Sequence, residues 1–229
     1  MGMLATATLA ALTMAACGIP RDSEGTLDRV EGGTMRVGIT ENPPWTDLSG
    51  GEPAGVEMDL IEGFAETLQA RVEWFDGSAA ELMEALEKRE LDVVVGGFTA
   101  DDPWAQVVTF TQPYAESSTL VGVPPGQQPP QEIDGVRVAT ERGHETAALV
   151  EDAGGVPVEV DDLSESPGLV AAEEWELETL GLVPSEIELD KAQHVVAVPL
   201  GENAWLVRLE RFLSARAASV DELLQEHAA

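Results

Sequence analysis

The chain carries a single cysteine, Cys17, so an intramolecular disulfide framework and a multi-cysteine metal site are both excluded. Bases are scarce too: 12 Lys and Arg, with Lys88 and Lys191 the only lysines, stand against 43 Asp and Glu and leave a formal charge of −31. A polyanion repels phosphate, which argues against any nucleic-acid-binding role. There are three histidines, and none lies at ligand spacing from His144, so no metal is expected. Aromatics are only 5%, and the bias toward Trp and Arg reads as genome composition or salt adaptation rather than chemistry. No nucleophile triad, redox motif or phosphate-binding glycine loop appears; Gly96-Gly97 lacks the Lys and the spacing of a P-loop, and no cofactor is expected. What the chain does have is 44% hydrophobic residues over 229 positions, enough to bury a core in one large domain or two small lobes.

The only uninterrupted apolar stretch is Met1 to Ala16, too short for a comfortable membrane span but suited to a secretory signal. Met14-Ala15-Ala16-Cys17, followed by Gly18, resembles a bacterial lipobox, which implies cleavage before Cys17 and a lipid anchor on it. An ordinary cleaved signal and a buried free thiol are the alternatives. Residues 18–33 are polar and Gly-containing, with a short helix possible at Thr26 to Val30, and are expected to be a tether.

From Met35 the hydrophobic period alternates between types. Met35 to Ile39 reads as a half-buried strand, and Asn42-Pro43-Pro44-Trp45 forces an extended turn. Leu60, Ile61, Phe64 and Leu68 then share one helical face, Val72 to Phe75 returns to a strand, and Ser78 with Glu81 has capping-box spacing before a second helix. Val93 to Val95 is β-branched and stops at Gly96-Gly97, as expected of a strand covered on both faces. Strand, helix, strand, helix, strand argues for an open α/β sheet with its ligand crevice beyond the carboxyl ends of the strands. That places Asn42 to Trp45 and Gly97 to Trp104 on one rim.

In this order, MRVGI, NPPW, GVEMDLIEGFAETL, LDVVVGGFTADDPW and VTFTQPYAESSTLVGV resemble the first lobe of the family 3 solute-binding proteins, the periplasmic amino-acid-binding type. The resemblance implies an α/β, two-lobed periplasmic-binding-protein fold (type II). Lobe 1 would comprise 34–120 and 200–229, lobe 2 would comprise 121–199, and the crossings would lie near Thr119 to Val123 and Val195 to Leu200. It also implies a monomeric extracytoplasmic receptor, at the periplasm or the outer face of the cell membrane, that delivers a small molecule to an ABC permease. The second lobe is expected to be reduced. Only Asp161 to Pro167 separates the strand at Val156 to Val160 from that at Leu169 to Ala172, and a parallel crossover takes about a dozen residues. A last helix is expected to start at Ser219 with Glu222 closing its cap.

Departures from the family bear on the ligand. Where relatives carry an Arg that grips the ligand carboxylate, this chain has Trp104; where they place hydroxyls after a Gly, it has His144 and Glu145. The expected cleft brings Trp45, Phe98, Thr99 and Trp104 toward His144, Glu145, Glu173 and Glu174. Aromatics with carboxylates suit a cation, stacked on Trp45 or Trp104 and neutralised by Glu145 and Glu174. The stretch from Glu141 to Glu178 holds twelve acidic residues and one base, Arg142. The plain alternatives are a solvated helix start for Glu173 to Glu178, cover of the first-lobe core edge for Trp45, and for Trp104 packing within the cleft that closes the site. Three functions stay open. The leading one is an importer receptor for a small polar solute, with a cation among the candidates. The others are a degenerate sensor module with a protein partner, and an enzyme similar to cyclohexadienyl dehydratase.

Overall fold

A computed structural model describes residues 22–228. Cys17, the signal segment and the first part of the expected tether lie outside the described residues. Two five-stranded sheets divide the chain. The first sheet runs in the order β2-β1-β3-β10-β4. Its members are β1 (Thr34–Ile39), β2 (Arg71–Asp76), β3 (Val93–Val95), β4 (Thr109–Phe110) and β10 (Ala197–Val198). β1 pairs in parallel with both β2 and β3, the outcome of two right-handed strand–helix–strand units. The crossover helices are α2 (Val56–Thr67) and α3 (Ala79–Glu87). On α2, Leu60, Ile61, Phe64 and Ala65 bury the face that the 3.6-residue period predicts. α3 carries the expected capping box, with the Glu81 backbone N–H donating to Ser78 Oγ and the Ser78 backbone N–H to the Glu81 carboxylate.

The second sheet runs β7-β6-β8-β5-β9. Its strands are β5 (Ala115–Val123), β6 (Arg137–Glu141), β7 (Val156–Val160), β8 (Leu169–Glu173) and β9 (Val183–His194). Helices α4 (Thr146–Asp152) and α5 (Glu174–Thr179) cover it. The chain then returns to the first sheet through β10 and ends in α6 (Asn203–Arg216) and α7 (Val220–His227). Both helices pack on α2, and the Phe64 and Trp205 rings meet at 5.3 Å.

Several expectations need correction. The segment assigned to the tether is folded from Asp22 onward. α1 (Thr26–Val30) buries Thr26 and Val30 against the first lobe. Asp22 Oδ1 accepts the N–H groups of Ala204 and Trp205, capping α6 from outside the helix. Glu202, 2% exposed, accepts from Ser23 Oγ and from the backbone N–H of Glu24 and Thr26, and pairs with Arg89 at 2.8 Å. No local pattern near residue 22 announces partners some 180 positions away.

The lobe boundaries also move. β5 already joins the second sheet at Ala115, where it pairs with His194, whereas Ala197 and Val198 belong to the first sheet. The chain therefore changes sheets at Tyr114–Ala115 and His194–Val195, earlier than expected on both crossings. β7 and β8 both run parallel to β6 and flank it, so the short segment between them is a parallel crossover after all. It succeeds because Leu169 pairs at the level of Val138 and Val160 at that of Glu141: the chain retreats only about 10 Å along the sheet. One 3-10 turn, Leu163–Glu165, takes the place of a crossover helix in this connection, which is in keeping with a smaller second lobe. At α7 the expected cap is absent, since Ser219 Oγ donates back to the Arg216 carbonyl.

Candidate functional site

Both sheets direct the ends of their strands at one cleft of about 430 Å³. From the first lobe, Asn42, Trp45, Gly97 and Thr99 line it; from the second come Thr119, Glu141, His144, Glu145, Thr146, Glu173, Trp175 and Glu176, and His194 stands where the chain changes sheets. The size is that of a small-molecule pocket.

The first-lobe rim is built around a buried carboxylate. Glu57, fully enclosed, accepts hydrogen bonds from the N–H groups of Gly96 and Gly97 at 2.7 and 2.8 Å and from the Tyr114 hydroxyl at 2.8 Å. Burial pushes its pKa up to about 7, against the pull of those three donors. It thereby fixes the turn after β3 and the residue from which the chain enters the second lobe. Gly97 has φ +66° and a Cβ there would lie 2.3 Å from Asn42 Nδ2, so only glycine lets the Asn42 amide reach the Gly96 carbonyl at 3.0 Å.

Trp45 lines the cleft but is 3% exposed. His194 stacks on it with centroids 3.8 Å apart, and Tyr114 meets it edge-on at 6.2 Å. A ligand cation therefore finds that stacking face already covered. His194 Nε2 is bonded to Ser117 Oγ at 2.9 Å, while Nδ1 has no well-aligned partner. Burial lowers the pKa to about 4, the Gly97 backbone acting weakly the other way, so the imidazole is neutral. Thr99 lies on the rim, and its N–H is taken by Asp102 at 2.8 Å.

Two expected first-lobe residues do not reach the cleft. Phe98 is buried with Leu82, Met83, Leu86 and Val108, and Trp104 leans on that same cluster from a 3-10 turn, Pro103–Gln106. The loop after β3 folds back over α3, which carries both rings away from the crevice.

Across the cleft His144 and Glu145 are present, His144 pairing with Glu141 at 3.5 Å. Glu174 is not: it opens onto a groove between α5 and α7, because successive helical residues point about 100° apart. Its neighbours Glu173 and Glu176 take the cleft instead. Burial raises the Glu173 pKa, with Glu145 and Asp190 adding to the effect and hydrogen bonds to Trp175 and Ser117 opposing it. Burial raises that of Glu176 to about 7, Glu141 and Glu173 contributing. Four carboxylates thus share the wall, and among the described residues no Lys or Arg lines it. Among the same residues no three acidic, His or Cys groups are placed to hold a metal ion. Arg142, the base nearest in sequence, is turned outward and held by Asp161 at 2.7 Å.

Sequence reasoning missed Glu57, Glu141, Glu176, Trp175 and the placement of His194. Of the acidic run Glu173 to Glu178, from which Glu173 and Glu174 were expected at the cleft, Glu173 lines it, Glu174 does not, and Glu176 was not anticipated.

A probable histidine-binding protein of Campylobacter jejuni is 30% identical over 88 residues, covering 38% of this chain and 34% of that protein. The aligned segment thus spans about a third of that relative's length. Among solved structures, an ancestral cationic amino acid solute-binding protein superposes with a TM-score of 0.73 at 18% identity, covering 89% of this chain and all of that one. The unliganded, open L-cystine solute receptor of Neisseria gonorrhoeae gives 0.70 at 18% identity over 87% of this chain and 97% of its own. At such identities the likeness concerns the fold, which is the two-lobed periplasmic-binding-protein architecture of type II. Residues 35–227, nearly the whole described body, match one family pattern, and the chain belongs to the bacterial extracellular solute-binding proteins, family 3.

Proposed function

We propose that the chain is the extracytoplasmic receptor of an ABC importer and captures a small cation bearing N–H donors between its lobes. The observation that carries this reading is the cleft wall of Glu141, Glu145, Glu173 and Glu176 with no Lys or Arg beside it. Like charges gathered in a partly desolvated cleft repel one another, and an entering cation relieves that cost while satisfying their acceptor oxygens. The cationic amino acid and histidine named for two of the relatives fit this chemistry.

The geometry refines the expectation in two ways. Trp45 is covered by His194 and Trp104 leans on the apolar cluster behind the rim, so recognition rests on carboxylate hydrogen bonds rather than on cation–π stacking, which favours ammonium or guanidinium over quaternary ammonium. The α-carboxylate of a free amino acid would meet no guanidinium, and the Thr99 N–H is already engaged, which favours an amine over an amino acid. Substrate carboxylates would meet the same lack of a cationic grip, so the binding reading stands ahead of a dehydratase. Anchoring through Cys17 would keep the receptor at the membrane; among the described residues no helix is long and apolar enough to cross it.

Isothermal titration of the full chain with putrescine, L-arginine, L-histidine, choline and L-glutamate tests the proposal. Binding of putrescine or L-arginine, weaker binding of choline and none of L-glutamate is expected. Binding of L-glutamate alone would sink it, and silence toward all five would turn attention to a protein partner.

A further inference from the structure

Trp175 faces two cavities at once. It lines the cavity beside Glu173 and Glu176, and equally the groove between α5 and α7 with Glu174, Leu224 and Gln225. Although α5 belongs to the second lobe, the half-buried Trp175 ring packs against the first-lobe cluster that contains Trp45, Tyr114, Val220 and Leu224. Its indole N–H donates to Glu173 Oε2. Next to it, Gln225 Nε2 on α7 donates to Glu178 Oε2 on α5 at 3.0 Å, and α7 is itself held to the first lobe by His227 and Asp59 at 2.7 Å. A second-lobe carboxylate is thus aligned by a donor whose ring is seated in the other lobe.

We propose that Trp175 is a positioning residue: seated by α7 and the first-lobe cluster, it aligns the Glu173 carboxylate for a bound cation. The inference rests on the cation-receptor reading of this cleft and names the donor that orients one of its carboxylates. An N–H donated to a carboxylate is among the stronger hydrogen bonds, and here it stabilises the charged form that a cation needs against burial and the neighbouring Glu145 and Asp190. Replacement of the indole by the smaller benzene ring removes the donor and keeps an aromatic ring on the cluster.

The test is a double-mutant cycle on the full chain, titrated with putrescine and with L-arginine. Trp175→Phe should weaken binding about tenfold when Glu173 is intact, the loss expected for a hydrogen bond to a charged group. With Glu173→Gln already in place, the same change should alter binding by less than about twofold. Equal losses in both backgrounds would reduce Trp175 to packing and overturn the proposal. A wild-type chain blind to both probes would overturn the cation reading and this inference with it, whereas binding with an additive cycle removes this inference alone. The indole N–H resonances give a second readout that needs no Trp175 variant. One of them should move both in Glu173→Gln and on addition of the probe that binds, and the absence of any such resonance would likewise overturn the proposal.

Discussion

The molecule gathers carboxylates in two places, sealed in one and half open to solvent in the other, and treats them in opposite ways. On the far side of the first lobe, Glu202 and Asp92 are almost sealed from water, and each is met by arginine: Arg89 for Glu202, Arg29 and Arg36 for Asp92. Backbone N–H groups complete both sets. In the cleft, Glu141, Glu145, Glu173 and Glu176 face one another without a base. The protein has ten arginines and spends several on holding its N-terminal segment down, yet none lines the cleft among the described residues. A fold that can neutralise buried carboxylates and leaves one group uncompensated has left the compensation to something that arrives from outside.

The largest effect should come from breaking the compensated centre. Burial pushes the Glu202 pKa up, but the hydrogen bonds from Ser23, Thr26 and Glu24 outweigh it and hold the pKa at about 2. A carboxyl depressed in the folded state contributes stability that is whole above its unfolded value near 4.5 and is lost as pH falls through 2. Glu202→Ala should therefore cost about 3 kcal/mol at pH 7, lowering Tm by roughly 10 °C, and the variant should lose the steep fall of Tm below pH 4.5. Calorimetry across pH checks both. Because Asp22, Ser23 and α1 depend on this centre, amide exchange at residues 24–30 should also accelerate well beyond that of β1.

The uncompensated centre should respond with the opposite sign. Glu176 in the cleft wall, and Glu57 enclosed behind the opposite rim, have folded pKa values raised to about 7, so their contribution is whole below about 4.5 and is lost as pH rises through 7. His194, depressed to about 4, works against them, its contribution being whole above 6.5 and lost as pH falls through 4. Two carboxyls against one imidazole leave a net fall in Tm between pH 5 and 8. Glu176→Gln should flatten that fall and raise stability at pH 8 by about 1 kcal/mol after allowance for solvent screening, while weakening putrescine or L-arginine binding. A variant that binds the cation as tightly as wild type would show that Glu176 takes no part in the grip. Saturating cation should flatten the same limb in the wild type, since it binds only the folded state.

The first lobe was largely legible because its signals are local. The 3.6-residue period of α2, the Ser78–Glu81 box of α3 and the β-branched run of β3 each reside within a dozen residues and survive in the structure. The second lobe was less so. β9 is a twelve-residue strand of largely polar sequence, Val183–His194, whose alternation is that of a strand half open to solvent and whose end places His194 against Trp45 across the sheet exchange. The site was legible in its chemistry and misplaced in its atoms. An acidic cleft was foreseen, but whether Glu173 or Glu174 faces it depends on where β8 stops and α5 begins, a boundary that composition does not mark. The docked N-terminal segment was illegible because its fixings, Asp22 on α6 and Glu202 on α1, join opposite ends of the chain.

The smallest effect sharpens the comparison from the side of what the cleft excludes. On sequence grounds Trp104 was expected to replace a carboxylate-gripping Arg and was a candidate to stack on the ligand. The structure seats it on the cluster of Leu82, Met83 and Leu86, behind the rim rather than on it. Trp104→Phe keeps an aromatic ring on that cluster and should cost about 1 kcal/mol of stability, with cation affinity unchanged within about twofold. Trp104→Arg is the more searching substitution, because it puts a guanidinium at this position in a chain whose cleft has none. If the loop after β3 keeps its course, the new Arg emerges over α3 and L-glutamate still fails to bind. If the loop turns inward, the Arg joins the four carboxylates, cation affinity collapses and L-glutamate gains a hold. Titration of this one variant with putrescine and L-glutamate therefore decides whether the path of the loop after β3 keeps position 104 out of the cleft whatever residue stands there.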